Sequence, residues 1–139
     1  MKTGKKPVIV DTNILFSALL KTRSKFAEIL LAAENDFFVC ESVLIELFKY
    51  KEKIVKASAL SEDGIIQLYH IYLKRIHLFK EELIRFEIRQ QAYQLCHDID
   101  ENDISHVALT LELNGLLWTG DKILKEGLLK RGFTHFFDY

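Results

Sequence analysis

The chain alternates short apolar runs with longer stretches whose apolar residues recur every three or four positions. A short apolar, β-branched run bounded by turn-forming residues is typical of a buried parallel strand, whereas the longer period is typical of an amphipathic helix. The short runs predict four strands and a fifth at the edge of the sheet, over residues 7–10, 37–40, 76–79, 116–119 and 133–137.

Helical stretches fill the segments between these strands. They are predicted from Asn13 to Leu20, from Ser24 through Ala33, from Ser42 through Phe48, from Ser61 through Leu73, from Glu81 to His97, from Ile104 to Asn114, and from Asp121 to Lys130. Strands separated by helices form parallel sheets that are covered on both faces. We therefore predict an α/β fold, a three-layer α/β/α sandwich around a mostly parallel sheet of four to five strands.

Length and composition favour a single domain over residues 1–139. With 49% hydrophobic and 28% charged residues, and no segment rich in Pro, Gly or Ser, the chain has the composition of a globular domain without a linker. The basic residues 1–6 precede an apolar run that already ends at Asp11, and no apolar stretch is long enough to cross a membrane. We expect a cytoplasmic protein without a signal peptide or membrane contact.

Charge gives no global sign of a nucleic-acid partner. The 19 basic and 20 acidic residues leave a net charge of -1, so a polyanion would have to be held by local clusters. Two segments are basic, and each is also typical of a solvated helix face. They contain Lys49, Lys51, Lys53 and Lys56 in the first, and Lys122, Lys125, Lys130 and Arg131 in the second.

Acidic residues stand just beyond the carboxyl ends of two predicted strands, where open parallel sheets bind their ligands. Asp11 follows the first strand, and Asp121 follows the strand at 116–119 after Gly120. Each side chain can instead cap the helix behind it. Two acids in this position are more informative than one, and they indicate a site at this edge of the sheet.

Three more acids are candidates for the same site. Asp100 and Asp103 precede the helix that starts at Ile104, and their spacing is also close to a capping box. Glu46 lies inside a helix, in a stretch that otherwise has a buried pattern. Converging carboxylates need a divalent cation, and oxygen ligands favour Mg²⁺ or Mn²⁺ over zinc. The five histidines show no ligand spacing and are expected to be at the surface or partly buried.

Four blocks of sequence, in this order, resemble the PIN domain, the nuclease fold of VapC-type toxins. They are Val-Ile-Val-Asp11-Thr-Asn13, Glu46 inside a helix, Asp100-Glu-Asn-Asp103 before an aliphatic helix, and Leu-Leu-Trp-Thr119-Gly-Asp121. The resemblance spans essentially the whole chain and is most specific from Asp100 to Phe133. It implies a PIN-like version of the predicted three-layer sandwich.

The resemblance also implies a metal-dependent ribonuclease. Its four catalytic acids, which bind Mg²⁺ or Mn²⁺ and activate water for RNA hydrolysis, would be Asp11, Glu46, Asp103 and Asp121. Asp100 competes with Asp103 for the third position and is a further metal ligand candidate. Asn13, which would orient Asp11, and Thr119 are implied as supporting residues. We add the hypothesis that Lys122 and Lys125 hold the phosphate backbone of the RNA.

A VapC-like chain further implies a toxin whose paired antitoxin protein blocks the acidic groove, and a homodimer. Two other enzyme classes fit less well. An aspartyl phosphatase has a second acid where this chain has Asn13, and a dinucleotide-binding protein has clustered glycines, whereas those of this chain are scattered. A non-catalytic PIN-like module that binds RNA or a protein stays open as the alternative.

Overall fold

A computed structural model describes residues 5–139 and contains a sheet of four parallel strands in the order β3-β2-β1-β4. The strands are β1 (Val8–Val10), β2 (Phe37–Cys40), β3 (Ile76–Phe79) and β4 (Leu116–Trp118). The four strands predicted from the apolar runs are therefore confirmed. Residues 1–4, which belong to the basic segment noted above, lie outside the described residues.

Helices connect the strands and cover both faces of the sheet. They are α1 (Thr12–Ala18), α2 (Lys25–Ala32), α3 (Glu41–Lys49), α4 (Lys51–Ala57), α5 (Glu62–Leu73), α6 (Phe86–Cys96), α7 (Ile104–Glu112) and α8 (Lys122–Lys130). Helix α4 lies in the first basic segment, which has the pattern of a solvated helix face but was given no helix bounds in the prediction. None of these helices combines the length and the apolar character that crossing a membrane requires.

The predicted long helix from Glu81 to His97 is wrong at its start. A short 3-10 turn and two extended residues precede α6, because Ile84 is buried and the N–H of Arg85 donates to Glu112 Oε1 at 2.7 Å. These contacts with distant parts of the chain stabilise an extended backbone where the local pattern is helical. Tertiary packing here outweighs helix propensity.

The two faces of the sheet form two hydrophobic cores. Val8 and Val10 of β1 pack with Trp118 on one face, against α1, α2, α3 and α5. Ile9 and Leu117 pack on the opposite face, against α6, α7 and α8. Because alternate strand residues point to opposite faces, a sheet buried on both sides has continuously apolar strands. The predicted three-layer α/β/α arrangement is confirmed.

The predicted edge strand at residues 133–137 is reduced to one isolated parallel bridge between Leu117 and Phe136. The N–H of Leu117 donates to the carbonyl of His135 at 2.8 Å, and the N–H of Phe137 donates to the carbonyl of Leu117 at 2.9 Å. Phe133 and Phe136 are buried three positions apart, which is not the spacing of a strand. The described sheet therefore has four strands.

The amino-terminal end of the sheet is closed by paired polar groups. The Asn35 side-chain amide donates to the carbonyl of Lys6 at 3.0 Å, and the N–H of Leu116 donates to the carbonyl of Pro7 at 2.9 Å. Gly115 fits only without a side chain, since a Cβ there would lie 2.5 Å from the Pro7 carbonyl oxygen. This end of the sheet is packed backbone against backbone.

Candidate active site

Three of the predicted acids meet beyond the carboxyl end of the sheet. Carboxylate oxygens of Asp100, Asp103 and Asp121 all lie within 4.8 Å of one another, and no other group of this kind occurs among the described residues. Asp121 precedes α8, and Asp103 immediately precedes α7. Asp100 and Asp103, the two candidates for the third acid, are thus neighbours in one cluster.

Asp11 lies beside this cluster at the end of β1 and is only 3% exposed. Its Oδ1 accepts from the N–H of Ile14 at 3.0 Å, and the Thr119 hydroxyl donates to the same carboxylate. The Thr119 oxygen in turn accepts from the N–H of Asp121 at 3.1 Å. One threonine therefore connects the acids that follow β1 and β4. The charge of Asp11 also raises the pKa of Asp103, because the two carboxylates are close enough to repel each other.

Glu46 lies in the same cleft but outside the group of three acids. It projects from α3, and its Oε1 accepts from the Thr12 hydroxyl at 3.3 Å. The cleft has a volume of about 370 Å³ and is lined by Asp11, Thr12, Asn13, Phe16, Glu46, Tyr50, Lys53, Asp100, Asn102, Asp103 and His106. The lining therefore comes from the end of β1, from helices α1, α3 and α4, and from the turn at residues 100–103 with the start of α7, whereas Asp121 is not among the lining residues.

The electrostatics of the cleft disfavour its negative charges. Burial, followed by the charges of Asp100 and Asp11, raises the pKa of Asp103 from 3.8 to about 8. Burial also raises the pKa of Asp11, although the hydrogen bond from Thr119 opposes this effect. None of the ion pairs within residues 5–139 involves these acids. Their oxygen-only donor set fits a hard divalent cation such as Mg²⁺ or Mn²⁺.

Three of the acids cap a helix or turn while they lie in or beside the cluster. Asp11 caps α1, and Asp121 caps α8 by accepting from the N–H of Leu124 at 3.1 Å. Asp103 differs, since its side chain makes no capping hydrogen bond although it stands at the N-cap of α7. Asp100 instead caps a 3-10 turn by accepting from the N–H of Asn102 at 2.9 Å. Asp100 therefore caps as its position indicates, but the reciprocal bond of a capping box from Asp103 is not formed.

The predicted supporting residue Asn13 and the predicted RNA-binding lysines differ in exposure and in their contacts. The side chain of Asn13 is exposed at the cleft, and the backbone N–H of this residue donates to Asp11. Lys122 is exposed at the first position of α8. The Nζ atom of Lys125 lies 5.2 Å from the ring centroid of Phe136.

His106 is a cleft residue that the sequence pattern placed wrongly. It was expected at the surface or partly buried, but it is 1% exposed, and its Nδ1 atom is buried with no hydrogen-bond partner among the described residues. Burial lowers the pKa of the imidazole, which favours the neutral ring, while the charge of Asp11 opposes this. The sequence does contain a signal for this position. His106 follows Asp103 by three residues, and residues three apart lie on the same face of a helix.

Comparison with known proteins agrees with this geometry. The sequence profile of the PIN domain family matches residues 9–133, and no curated protein matches the chain at a significant level. PIN domains are typically nucleases, and they generally use divalent metal ions. The match covers most of the chain, and the four-stranded parallel sheet with helices on both faces is consistent with the family's fold. This protein therefore belongs to the PIN domain family.

Proposed function

We propose that this PIN domain is an endoribonuclease that requires Mg²⁺ or Mn²⁺ and hydrolyses RNA phosphodiester bonds with Asp11, Glu46, Asp103 and Asp121. The observation that carries the proposal is the group formed by Asp100, Asp103 and Asp121, whose carboxylate oxygens lie within 4.8 Å of one another. Carboxylates this close repel one another strongly when ionised. An arrangement that lowers stability in this way is typical of a functional site.

The acids differ in whether a helix N–H group holds their carboxylate. Asp11 and Asp121 are held by helix N–H groups, and Thr119 connects them, so their orientation is set before a substrate arrives. The Asp103 side chain makes no capping hydrogen bond and pairs instead with the side chain of Asp100. We assign Asp11 and Asp103 as the principal metal ligands. Asp100 is a further ligand candidate in the same cluster.

A divalent cation at this site would supply a bound water of lowered pKa and compensate negative charge on the phosphate. Glu46 faces this position from α3, and the Thr12 hydroxyl donates to its Oε1. We assign Glu46 as the group that orients the attacking water, with Oε2 as the atom that accepts its proton. Asn13 lines the same cleft and is exposed, where its amide can hydrogen-bond the substrate.

The test is RNA cleavage by the purified protein with and without divalent metal. We expect cleavage in Mg²⁺ or Mn²⁺, its loss in chelator, and a decrease of more than about 100-fold in Asp11→Asn, because losing even a hydrogen-bond partner of a ligand costs 10–100-fold. Asp63→Asn is the matched control, since Asp63 is an exposed acid in the first turn of α5. Cleavage that persists in chelator would contradict the proposed mechanism.

We also propose that the protein is the cytoplasmic toxin of a toxin–antitoxin pair, with an antitoxin protein as partner, and that it forms a homodimer. Support comes from an apolar groove of about 210 Å³ between α3, α4 and α5, beside which Phe48 is 80% and Ile66 is 53% exposed. Apolar surface of this kind is typical of protein interfaces.

Two measurements test this finer assignment. Expression of the wild-type chain in a bacterial host should arrest growth, whereas Asp11→Asn should not. Light scattering should give the mass of a dimer, and Phe48→Ser should shift it towards the monomer. Unimpaired growth would contradict the toxin role, and a monomer at all concentrations would contradict the dimer.

A further inference from the structure

One part of the cleft, next to Glu46, carries aromatic and basic side chains. Phe16 from α1, Tyr50 from the junction of α3 and α4, and Lys53 from α4 line the same cleft as Asp11 and Asp103. The sequence pattern favoured a solvated helix face for the lysine segment of α4. We call Phe16, Tyr50 and Lys53 the aromatic wall.

The helical spacing explains why Tyr50 and Lys53 line the cleft together with Glu46. Glu46, Tyr50 and Lys53 are separated by four and three positions, which is the spacing of one helix face. The backbone continues this face across the junction, because the N–H of Tyr50 donates to the carbonyl of Glu46 and the N–H of Ile54 donates to that of Tyr50, each at 3.0 Å. Seven residues of helix span about 10 Å. A carboxylate, a phenol ring and an ammonium group therefore follow one another along the cleft.

Lys53 brings a positive charge into a cleft that is otherwise acidic. It is exposed and takes part in none of the ion pairs within residues 5–139, whereas Lys51 on the same helix pairs with Glu62 at 3.5 Å. In a chain with a net charge of -1, phosphate groups must be attracted by local cations of this kind. Its position beside the carboxylates suits a phosphate that flanks the reacting bond.

Tyr50 offers an aromatic surface next to this cation. Tyr50 is 43% exposed. A second cation, the Nζ atom of Lys49, lies over its ring at 6.0 Å from the centroid. Nucleic-acid bases stack on exposed aromatic rings only when they are unpaired, and stacking of this kind depends little on base identity.

We propose that Tyr50 and Lys53 form a nucleotide subsite in which Tyr50 stacks one unpaired base and Lys53 contacts a neighbouring phosphate. Both are positioning residues, which hold a single strand across the acids without taking part in hydrolysis. The inference rests on the proposed nuclease function and adds a substrate subsite to it.

The base contact is tested with two short strands, one of RNA and one of the same length in which every nucleotide is abasic. Binding of the full chain is followed by fluorescence anisotropy in Ca²⁺, and the recovered RNA is checked to be intact. We expect the wild type to bind the RNA about tenfold more tightly than the abasic strand. Tyr50→Leu should bind the two strands equally. Tyr93→Leu is the control, since Tyr93 is 49% exposed on α6 and does not line this cleft.

The phosphate contact is tested by the salt dependence of binding. Lys53→Ala should keep the preference for the strand with bases and lower the slope of log affinity against log salt by about 0.7, the value for one phosphate contact on a single strand. Lys56→Ala, from the same helix but outside the cleft lining, should leave the slope unchanged. Thermal melting confirms that each variant is folded.

The outcomes separate this inference from the proposed function. Metal-dependent cleavage together with an unchanged base preference in Tyr50→Leu, or an unchanged slope in Lys53→Ala, would overturn the subsite alone. The expected binding changes without any cleavage would support the subsite while the proposed nuclease function fails. A wild type that binds both strands equally would overturn the base contact and point to a protein partner at this wall.

Discussion

The two ends of the sheet differ in how their polar groups are paired. At the amino-terminal end, the Asn35 amide bonds the carbonyl of Lys6, and Gly115 lets two backbones touch. At the carboxyl-terminal end, Asp103 is partly buried without a capping bond, and the Nδ1 atom of His106 has no partner among the described residues. The same strands join both ends, so the difference comes from the residues that follow and precede them.

The end of the sheet that stabilises the fold and the end that carries the candidate site are therefore only a short distance apart. Strands of three or four residues are only about 10–13 Å long at about 3.3 Å per residue. A buried polar group without a partner lowers stability, and His106 Nδ1 is such a group at the carboxyl-terminal end of the sheet. Stability should therefore depend on the amino-terminal end, and activity on the carboxyl-terminal end.

The largest expected effect comes from Asp103→Asn, which should separate the two properties. Cleavage should fall by more than about 100-fold, for the reason given for Asp11. The thermal midpoint in chelator at about pH 8 should rise, because the substitution removes a carboxylate whose charge is unfavourable in the folded state. Cleavage assays and thermal melts of the same preparation measure both.

The contribution of Asp103 to stability should depend on pH in a defined direction. Because the pKa of Asp103 is about 8 in the folded protein and 3.8 in a free carboxyl, the folded state binds more protons between these values. The free energy of unfolding of the metal-free protein should therefore fall as pH rises through this range, and Asp103→Asn should flatten the profile. Asp98→Asn is the control, because Arg131 lowers the pKa of Asp98 to about 2 and this group does not titrate there. An unchanged profile in Asp103→Asn would contradict the assignment.

The next effect concerns the opposite end of the sheet. Gly115→Ala places a Cβ 2.5 Å from the Pro7 carbonyl oxygen and 2.8 Å from Ile9 Cδ1, so the backbone must shift. Overpacking of this kind destabilises by about 1–3 kcal/mol. Urea denaturation should show this loss, while the cleavage rate per folded molecule stays close to that of the wild type. A specific loss of cleavage in the folded variant would show that the two ends are coupled.

The smallest effect is expected from the lysines of α8. Lys122→Ala should weaken RNA binding and lower the salt slope by about 0.7, because Lys122 is exposed directly after Asp121. Lys125→Ala should have a weaker effect, since its Nζ atom lies over the Phe136 ring. Anisotropy titrations at several salt concentrations measure both. Lys130→Ala, at the other end of the helix, is the control, and equal slopes in all three variants would contradict the contact.

The strands could be predicted from the sequence because each is marked by a short apolar run. The family could be predicted because its acids stand in short, recognisable blocks of sequence. Four apolar runs mark the strands, and Asp11 and Asp121 stand directly after two of them. The segment before α6 could not be predicted in this way, because the burial of Ile84 and the bond from Arg85 to Glu112 depend on distant residues.

Three residues of the cleft lining were also beyond local patterns. His106 resembles an ordinary helix histidine, and Tyr50 and Lys53 resemble surface residues, until the fold brings α3, α4 and α7 around one cleft. The sequence indicates these residues only through their helical spacing from Glu46 and Asp103. That spacing is informative only after the two acids have been assigned to the site.

Asp11 uses one oxygen to cap α1 while its carboxylate borders the acid cluster, and this double use matters for the choice of inactive variants. Asparagine keeps a cap acceptor with almost the same shape, whereas alanine removes it and costs about 1 kcal/mol of stability in addition. Asp11→Asn is thus the better reagent for capturing uncut RNA, because a failure to bind could be attributed to the lost charge and not to an unravelled first turn.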